Sequence, residues 1–205
     1  MRKNNIVLPS GVLPNGPRAT LEAMNYYGAK ELADSFRTVR KNTLIVAEDI
    51  PEERYGFSAA PGTRSVAQTL VHIALSSFQD QIHRVERRST LEGFDFPAFM
   101  AKIIAEEQVP RNKAQIVALL REQGDRFADW LGSVSDDFLA ERVTFPQGAT
   151  PPSKTRFEML LGVKEHEMHH RGQLMLMERM FGVVPHLTRQ MQERMSQMQK
   201  ERASA

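Results

Sequence analysis

The most informative segment of the chain spans residues 155–182 and reads TRFEMLLGVKEHEMHHRGQLMLMERMFG. It opens with a capping box, Thr155 followed by Glu158, and it closes on Gly182, a residue type that ends many helices. Apolar residues recur along it every three or four positions, which is the period of one helix face. The segment therefore predicts one long amphipathic helix.

Two histidines interrupt the apolar face of this helix near its middle. Two buried neutral imidazoles without partners would each cost roughly 1–3 kcal/mol, and a shared divalent metal would remove that cost. Spacing allows His166 to pair with either His169 or His170, but only His170 shares its face. The alternative is that each histidine bonds a carbonyl or carboxylate across the bundle. The face consists of Met159, Val163, His166, His170, Leu174, Met177 and Phe181.

The best third ligand is His72, on a second predicted helix that we expect to run from Ser65 to about Arg88. His72 lies at the edge of the apolar stripe of that helix, about 100° from its middle. His83 lies roughly 16 Å further along the axis, too far to serve the same ion, and its charged neighbours predict a solvated position. His186 follows a proline, and we expect it to be structural or exposed.

The rest of the chain shows helical periodicity and no convincing strand pattern. Helices are expected from about Thr20 to Asp49, from the Asn112 cap to about Leu131, and in shorter pieces near 94–107 and 135–137. These boundaries predict an irregular strap at 1–17, a bundle of four main helices at 18–186, and an amphipathic C-terminal helix with its tail at 187–205. Substrate walls would come from the loops at 51–63, 89–111 and 143–153.

Composition excludes several classes of function. Hydrophobic residues make up 41% of the 205 residues, enough for one core, and no apolar run reaches the roughly 18 residues of a membrane span. The formal net charge of +2 is too small to favour nucleic acid. The absence of cysteine excludes disulfides and a cysteine nucleophile, and it suits a cytoplasmic protein.

Three stretches resemble the DinB-like (DinB/YfiT-like) superfamily of metal-binding helical proteins. They are IPEE at 50–53 with PGTRS at 61–65, LVHIA at 70–74, and EHEMHHRGQL at 165–174 followed by Gly182 and Pro185. The resemblance implies an all-α four-helix bundle in up-down-down-up order, here with an extra C-terminal helix. It also implies a homodimer and a metal held by His72, His166 and His170.

The activity implied by the resemblance is that of a metal-dependent transferase or hydrolase acting on a small molecule. Three histidine ligands leave one position open on zinc, nickel or cobalt, with zinc or nickel favoured, and relatives use low-molecular-weight thiols. Glu167 and His169 are candidates for an outer role near the metal, although Glu167 could equally face solvent. No residue is singled out as a general base.

Three other functions remain open. The metal could be structural or absent in a non-catalytic stress-response or assembly protein, with Met191, Met195 and Met198 as a docking stripe or as ordinary packing. His166-Glu167-x-x-His170 also fits a zinc peptidase pattern, but Gln173 and Leu176 stand where its longer form needs glycine and histidine. DNA binding lacks a basic recognition helix.

Two further residues of the 165–174 stretch carry expectations. Glycine inside a helix costs about 1 kcal/mol relative to alanine, so Gly172 predicts the close approach of a neighbouring helix. Arg171 is expected to cap or pair at the bundle surface, with a substrate anion as its alternative partner.

Overall fold

The structure is a computed structural model that describes residues 27–75 and 77–204. A 3-10 turn covers Glu52–Arg54, and a π-helical turn covers Gln81–Val85. The strap predicted at 1–17 and the first residues of the helix expected from Thr20 lie outside the described residues. The α-helices are α1 Ala29–Asp49, α2 Val66–Leu75, α3 Phe78–Asp80, α4 Phe96–Glu107, α5 Lys113–Ser133, α6 Asp136–Ala140, α7 Arg156–Met180 and α8 His186–Ala203.

Helices α1, α2, α5 and α7 form a four-helix bundle, as the sequence predicted. Helix α1 is antiparallel to α5 and parallel to α7, whereas the segment that begins with α2 is antiparallel to α7. The order is therefore up-down-down-up, and α8 is the extra C-terminal helix. The direction of α5 relative to α1 follows from the contacts Phe36–Phe127 and Glu48–Lys113. That of α7 relative to α1 follows from Tyr27–Phe157 and Arg40–Glu167. That of the α2 segment relative to α7 follows from His72–His166 and His83–Arg156.

Local capping signals place most helix ends. Capping boxes form at Ser65, Asn112 and Thr155, where each side chain accepts from a backbone N–H three residues on. Helix α7 ends at Met180, and Gly182 has a φ of +78°, a conformation that costs glycine little. These ends agree with those predicted from sequence.

The second helix is not continuous to Arg88, so that prediction was wrong. Helix α2 ends at Leu75, and Ser77 starts a new helical turn by accepting from the N–H of Asp80 at 3.2 Å. The chain then passes through the π-helical turn to Val85. Serine competes with the helix by bonding the backbone locally, which gives a physical reason for the break.

His83 is buried, with 1% of its surface exposed, so the predicted solvated position was also wrong. Its Nδ1 accepts from Nη1 of Arg156 at 2.8 Å, and its Nε2 lies 3.0 Å from Oε1 of Gln79. Arg156 comes from the start of α7, more than 70 residues away. The charged sequence neighbours of His83 suggested an exposed position, and the sequence near His83 does not reveal its distant partner Arg156.

A short hairpin contradicts the prediction that the chain has no strand. Strands β1 Arg142–Thr144 and β2 Ser153–Thr155 pair antiparallel, and Val143, the middle residue of β1, is fully buried. Each strand has three residues. A segment this short contains too little alternation to be told from a loop.

The bundle interior consists of two apolar clusters separated by a polar layer. One cluster joins the C-terminal half of α1 to α2 and the C-terminal half of α7. The other joins the N-terminal halves of α1 and α7 to the end of α5. Between them, at mid-bundle, lie the buried polar side chains Arg40, His72, Glu167, His170 and Arg171.

Glu178 is a buried carboxyl near the C-terminal end of α7. It has no exposed surface, and neither side-chain oxygen has a hydrogen-bond partner among the described residues. Burial, with the nearby carboxylate of Asp49, raises the pKa of Glu178 to about 7. The protonated carboxyl is therefore the form that the folded protein prefers.

Replacing Glu178 with glutamine should stabilise the protein at alkaline pH. Because the folded-state pKa is raised, the free energy of unfolding of the wild type falls as pH rises from 4.5 to about 7. Glu178→Gln should therefore be more stable by on the order of 1–3 kcal/mol at pH 8 and equal near pH 4.5. Urea unfolding at both pH values measures this, with the exposed Glu165→Gln as control. A pH-independent difference would contradict the assignment.

Candidate functional site

Three histidine side chains from two helices converge at the polar layer. Nε2 of His166 lies 3.2 Å from Nε2 of His72 and 3.1 Å from Nε2 of His170. His72 comes from α2, and the other two come from successive turns of α7. One ring nitrogen from each histidine lies within 4.8 Å of the others, a grouping that could hold a metal ion.

The outer ring nitrogens of two of these histidines have fixed partners. Nδ1 of His72 lies 2.8 Å from Oε1 of Glu107, and Nδ1 of His170 lies 2.9 Å from Oε1 of Gln173. Both partner atoms accept hydrogen bonds, so each Nδ1 carries the proton and each Nε2 is left with a lone pair. The lone pairs of two neutral rings therefore face the third ring.

The surroundings keep these rings neutral. Burial and, to a smaller extent, the guanidinium of Arg64 lower the pKa of His72 to about 4. His166 is partly open towards a cavity, yet desolvation and the two neighbouring imidazoles lower its pKa to about 4. The pKa of His170 is lowered as well, mainly by burial. All three rings are thus neutral near neutral pH, and the neutral imidazole is the form that binds metals.

Glu167 is buried beside the cluster and does not face solvent. Only 2% of its surface is exposed, and Arg40 donates to both of its oxygens, from Nε at 3.0 and 3.2 Å and from Nη2 at 3.0 Å. Arg40 also donates to the carbonyls of Leu120 and Ile73. Both oxygens of Glu167 are thus engaged by the guanidinium of Arg40.

His169 lies outside the convergence but contacts it through an amide. Its Nε2 lies 3.2 Å from Nε2 of Gln173, the residue that accepts from His170. The geometry thus separates the two pairings that spacing left open, since His170 turns towards His166 and His169 turns towards Gln173. His186 is buried elsewhere, with Nε2 3.2 Å from Oδ1 of Asn42.

Sequence reasoning missed several residues that complete the site. Glu107 and Arg40 come from α4 and α1, far from the histidines in sequence, and nothing local marks them. Arg64 stood in the PGTRS stretch without an assigned role, and its Nε donates to Oε2 of Glu107 at 2.7 Å. Arg171 was expected at the bundle surface but is buried inside it. There its Nη1 donates to the carbonyl of Val39 at 3.1 Å.

Gly172 does not have the neighbour predicted for it. A Cβ at this position would meet no described atom within 4 Å, and the residue is exposed on α7. The stretch around it instead presents exposed apolar side chains to solvent, at Met168, Leu176 and Met180. The packing explanation therefore fails within one protomer.

Together these features define an all-α four-helix bundle with a histidine cluster between α2 and α7, in which His72 and His170 are buried and His166 is exposed. A family model of the DinB superfamily matches residues 35–174, which include every histidine of the cluster. The chain belongs to the DinB superfamily. No curated protein matches it at a significant level.

Solved structures share the fold at low sequence identity. A DinB-like protein from Bacillus cereus is 16% identical, with a TM-score of 0.58 over 76% of this chain and 94% of its own. A DinB-like protein from Bacillus subtilis is 20% identical, with a TM-score of 0.52 over 74% and 92%. YfiT from Bacillus subtilis, described as a probable metal-dependent hydrolase with an unusual four-helix bundle topology, is 17% identical, with a TM-score of 0.58 over 79% and 92%. None of the helices in the described ranges is long and apolar enough to cross a membrane.

Adding a methyl group at Gly124 should disturb the site from a distance. A Cβ there would lie 2.7 Å from Cγ and from Nη1 of Arg40, which is buried and cannot move without losing its bonds. We expect Gly124→Ala to destabilise the protein by about 1–3 kcal/mol.

The matched control is Gly162→Ala on α7, where a Cβ meets nothing within 4 Å. This change should stabilise the helix by up to about 1 kcal/mol. Thermal and urea unfolding of both variants gives the comparison. If Gly124→Ala is as stable as Gly162→Ala, Arg40 is not held in the way described.

Proposed function

We propose that the chain is a metal-dependent enzyme whose metal is held by Nε2 of His72, His166 and His170. The observation that carries the proposal is that Nε2 of His166 lies 3.1–3.2 Å from the Nε2 atoms of His72 and His170, with one ring nitrogen of each histidine within 4.8 Å of the others. Metal–nitrogen bonds of about 2.0–2.1 Å with ligand angles between octahedral and tetrahedral place ligand atoms about 3.0–3.4 Å apart. The residues present therefore fit such an ion.

The electrostatics support the same assignment. One proton on Nε2 of His166 could satisfy only one of the two lone pairs that face it, whereas a cation would satisfy all three nitrogens. Glu107 accepts from Nδ1 of His72, an arrangement that fixes the ring and makes its Nε2 a stronger donor to a metal. Gln173 has the same orienting role for His170.

The proposed reaction is hydrolysis or thiol transfer on a small molecule. When bound, a zinc or nickel ion with three nitrogen ligands activates a coordinated water or a low-molecular-weight thiol. The description of YfiT as a probable metal-dependent hydrolase supports the hydrolytic form of the proposal. We place the protein in the cytoplasm, in keeping with the absence of cysteine.

A cavity beside the cluster favours an enzyme over a structural metal site. His72 and His166 line a cavity of about 800 Å³, so the ion would face a space of ligand size. A closed structural site would instead need a fourth protein ligand. The peptidase alternative is weakened because Arg40 engages both oxygens of Glu167, the residue that would act as base.

Metal binding should depend on the three converging histidines. After incubation with zinc or nickel and removal of excess, elemental analysis should find about one ion per chain in the wild type. His166→Ala and His170→Ala should each lose more affinity than the 10- to 100-fold typical of an outer partner. Glu107→Gln should show that smaller loss.

His169→Ala is the matched control, because it removes an imidazole from the same helix outside the convergence. It should retain the ion. The ligand assignment fails if His169→Ala abolishes binding and His170→Ala does not. The enzyme proposal fails if the wild type retains no transition metal at all.

We further propose that the protein is a homodimer. Met168, Gly172, Leu176 and Met180 stand four residues apart and form one exposed row along α7, with Gly172 leaving room for a second helix. A second exposed stripe on α8 consists of Leu187, Met191, Met195 and Met198. Every residue of α8 from Gln190 onwards is exposed, although isolated helices of this length are marginal in water. A second copy of the chain would cover both faces.

Charges placed on these stripes should dissociate the dimer. Light scattering should give twice the 23.3 kDa chain mass for the wild type and the single chain mass for Leu176→Glu and for Met195→Glu. The control is Ile104→Glu, a similarly exposed apolar residue on α4. A monomeric wild type would contradict the proposed dimer. If a variant remains dimeric, the stripe that carries its substitution is not part of the dimer interface.

A further inference from the structure

Two cavities border the histidine cluster. The larger, of about 800 Å³, is lined by His72 and His166, and the smaller, of about 580 Å³, is lined by His170 and Glu107. Nε2 of His166 lies 3.2 Å from Nε2 of His72 and 3.1 Å from Nε2 of His170, so the cluster stands at the boundary of both spaces. A molecule bound at the cluster would border both cavities.

Aromatic side chains form part of the wall of the larger cavity, which charged side chains such as Asp80 and Lys102 also line. Five phenylalanines line it, and Phe78 packs edge-on against Phe96 at 5.6 Å and against Phe99 at 6.4 Å between ring centroids. An aromatic ring bound in the cavity could make edge-to-face contacts of the same kind with these side chains. The phenylalanines are Phe36, Phe78, Phe96, Phe99 and Phe127.

The smaller cavity carries a guanidinium with unused donors. Nε of Arg64 donates to Glu107, but its two terminal nitrogens have no hydrogen-bond partner within the part of the chain that the structure describes. About a third of the side chain is exposed, and Glu107, which accepts from Arg64, also accepts from Nδ1 of His72 in the cluster. A pair of terminal N–H groups on one planar fork fits a carboxylate.

We propose that the two cavities form one bipartite site for a substrate with an apolar ring-bearing body and a carboxylate. The body occupies the phenylalanine cavity, and the carboxylate binds the terminal nitrogens of Arg64. The inference rests on the proposed function, since it assumes that the histidine cluster between the cavities is the reacting centre. It adds a substrate class and a binding residue to that function.

The probes are 4-phenylbutyrate, the uncharged 4-phenylbutan-1-ol and the ringless butyrate, with binding measured by calorimetry. On the wild type, 4-phenylbutyrate should bind at least about tenfold more tightly than either analogue, since it alone has both the ring and the charged acceptor for Arg64. Arg64→Gln should remove the preference for the acid over the alcohol. Arg64→Lys, which keeps the charge, should retain part of that preference and serves if Arg64→Gln does not fold.

Gly162 offers a way to fill the phenylalanine cavity without disturbing the backbone. It lines that cavity on α7, and a Cβ there meets nothing within 4 Å. Gly162→Phe should weaken 4-phenylbutyrate and 4-phenylbutan-1-ol by at least about tenfold, since it takes the space of the ring. Gly132→Ala on α5, which lines neither cavity and adds only an ordinary 3.5 Å contact with Ala33, should bind both as the wild type does.

Running the series on zinc-loaded and EDTA-treated protein separates Arg64 from the metal. A preference for the acid that survives EDTA and disappears in Arg64→Gln supports the inference, even if elemental analysis has overturned the metal proposal. A preference that disappears with EDTA and survives Arg64→Gln overturns it, because the metal then binds the carboxylate. Equal binding of acid and alcohol to the wild type, or no effect of Gly162→Phe, also overturns it.

Discussion

A buried arginine joins all four bundle helices at the level of the histidine cluster. Arg40 on α1 donates to Glu167 on α7, to the carbonyl of Leu120 on α5 and to the carbonyl of Ile73 on α2. Glu167 and Ile73 are the sequence neighbours of two of the clustered histidines. Sliding α7 would leave a buried charge unpaired, at a cost of about 3–5 kcal/mol, and sliding α2 would break the hydrogen bond to the carbonyl of Ile73. The spacing of the ring nitrogens is therefore maintained by a contact outside the cluster.

A second layer of polar partners determines the protonation state of the cluster. Glu107 accepts from both His72 and Arg64, and it thus joins a ring of the cluster to the guanidinium of the smaller cavity. Burial disfavours the imidazolium form, while the acceptors at Nδ1 keep protons away from the inner nitrogens. The hydrogen bond to Glu107 by itself raises the pKa of His72, but the opposite effect of burial is larger, so the ring is neutral and the acceptor fixes which nitrogen carries its proton. Orientation and charge are thus set together.

Features that depend on residues close together in sequence were predicted correctly, whereas features that depend on distant residues were not. Helix ends depend on side chains three residues away, so the capping boxes and the stop at Gly182 were predicted correctly. The paired histidines of α7 were visible because they share one helix face. His83 was misplaced, and Glu107 and Arg40 were not found, because their partners lie 35 to 127 residues away and only the packed bundle brings them together. Strands of three residues contain too little pattern to predict.

The parallel alignment of α1 and α7 has a consequence for where the described chain enters and leaves the bundle. Tyr27 lies beside Phe157 at the start of α7, whereas His186 lies beyond the other end of that helix, next to Asn42. Tyr27 and Asn42 are fifteen residues apart, so the two points are separated by about 22 Å along α1. A linker that joined Tyr27 directly to His186 would therefore need about seven extended residues.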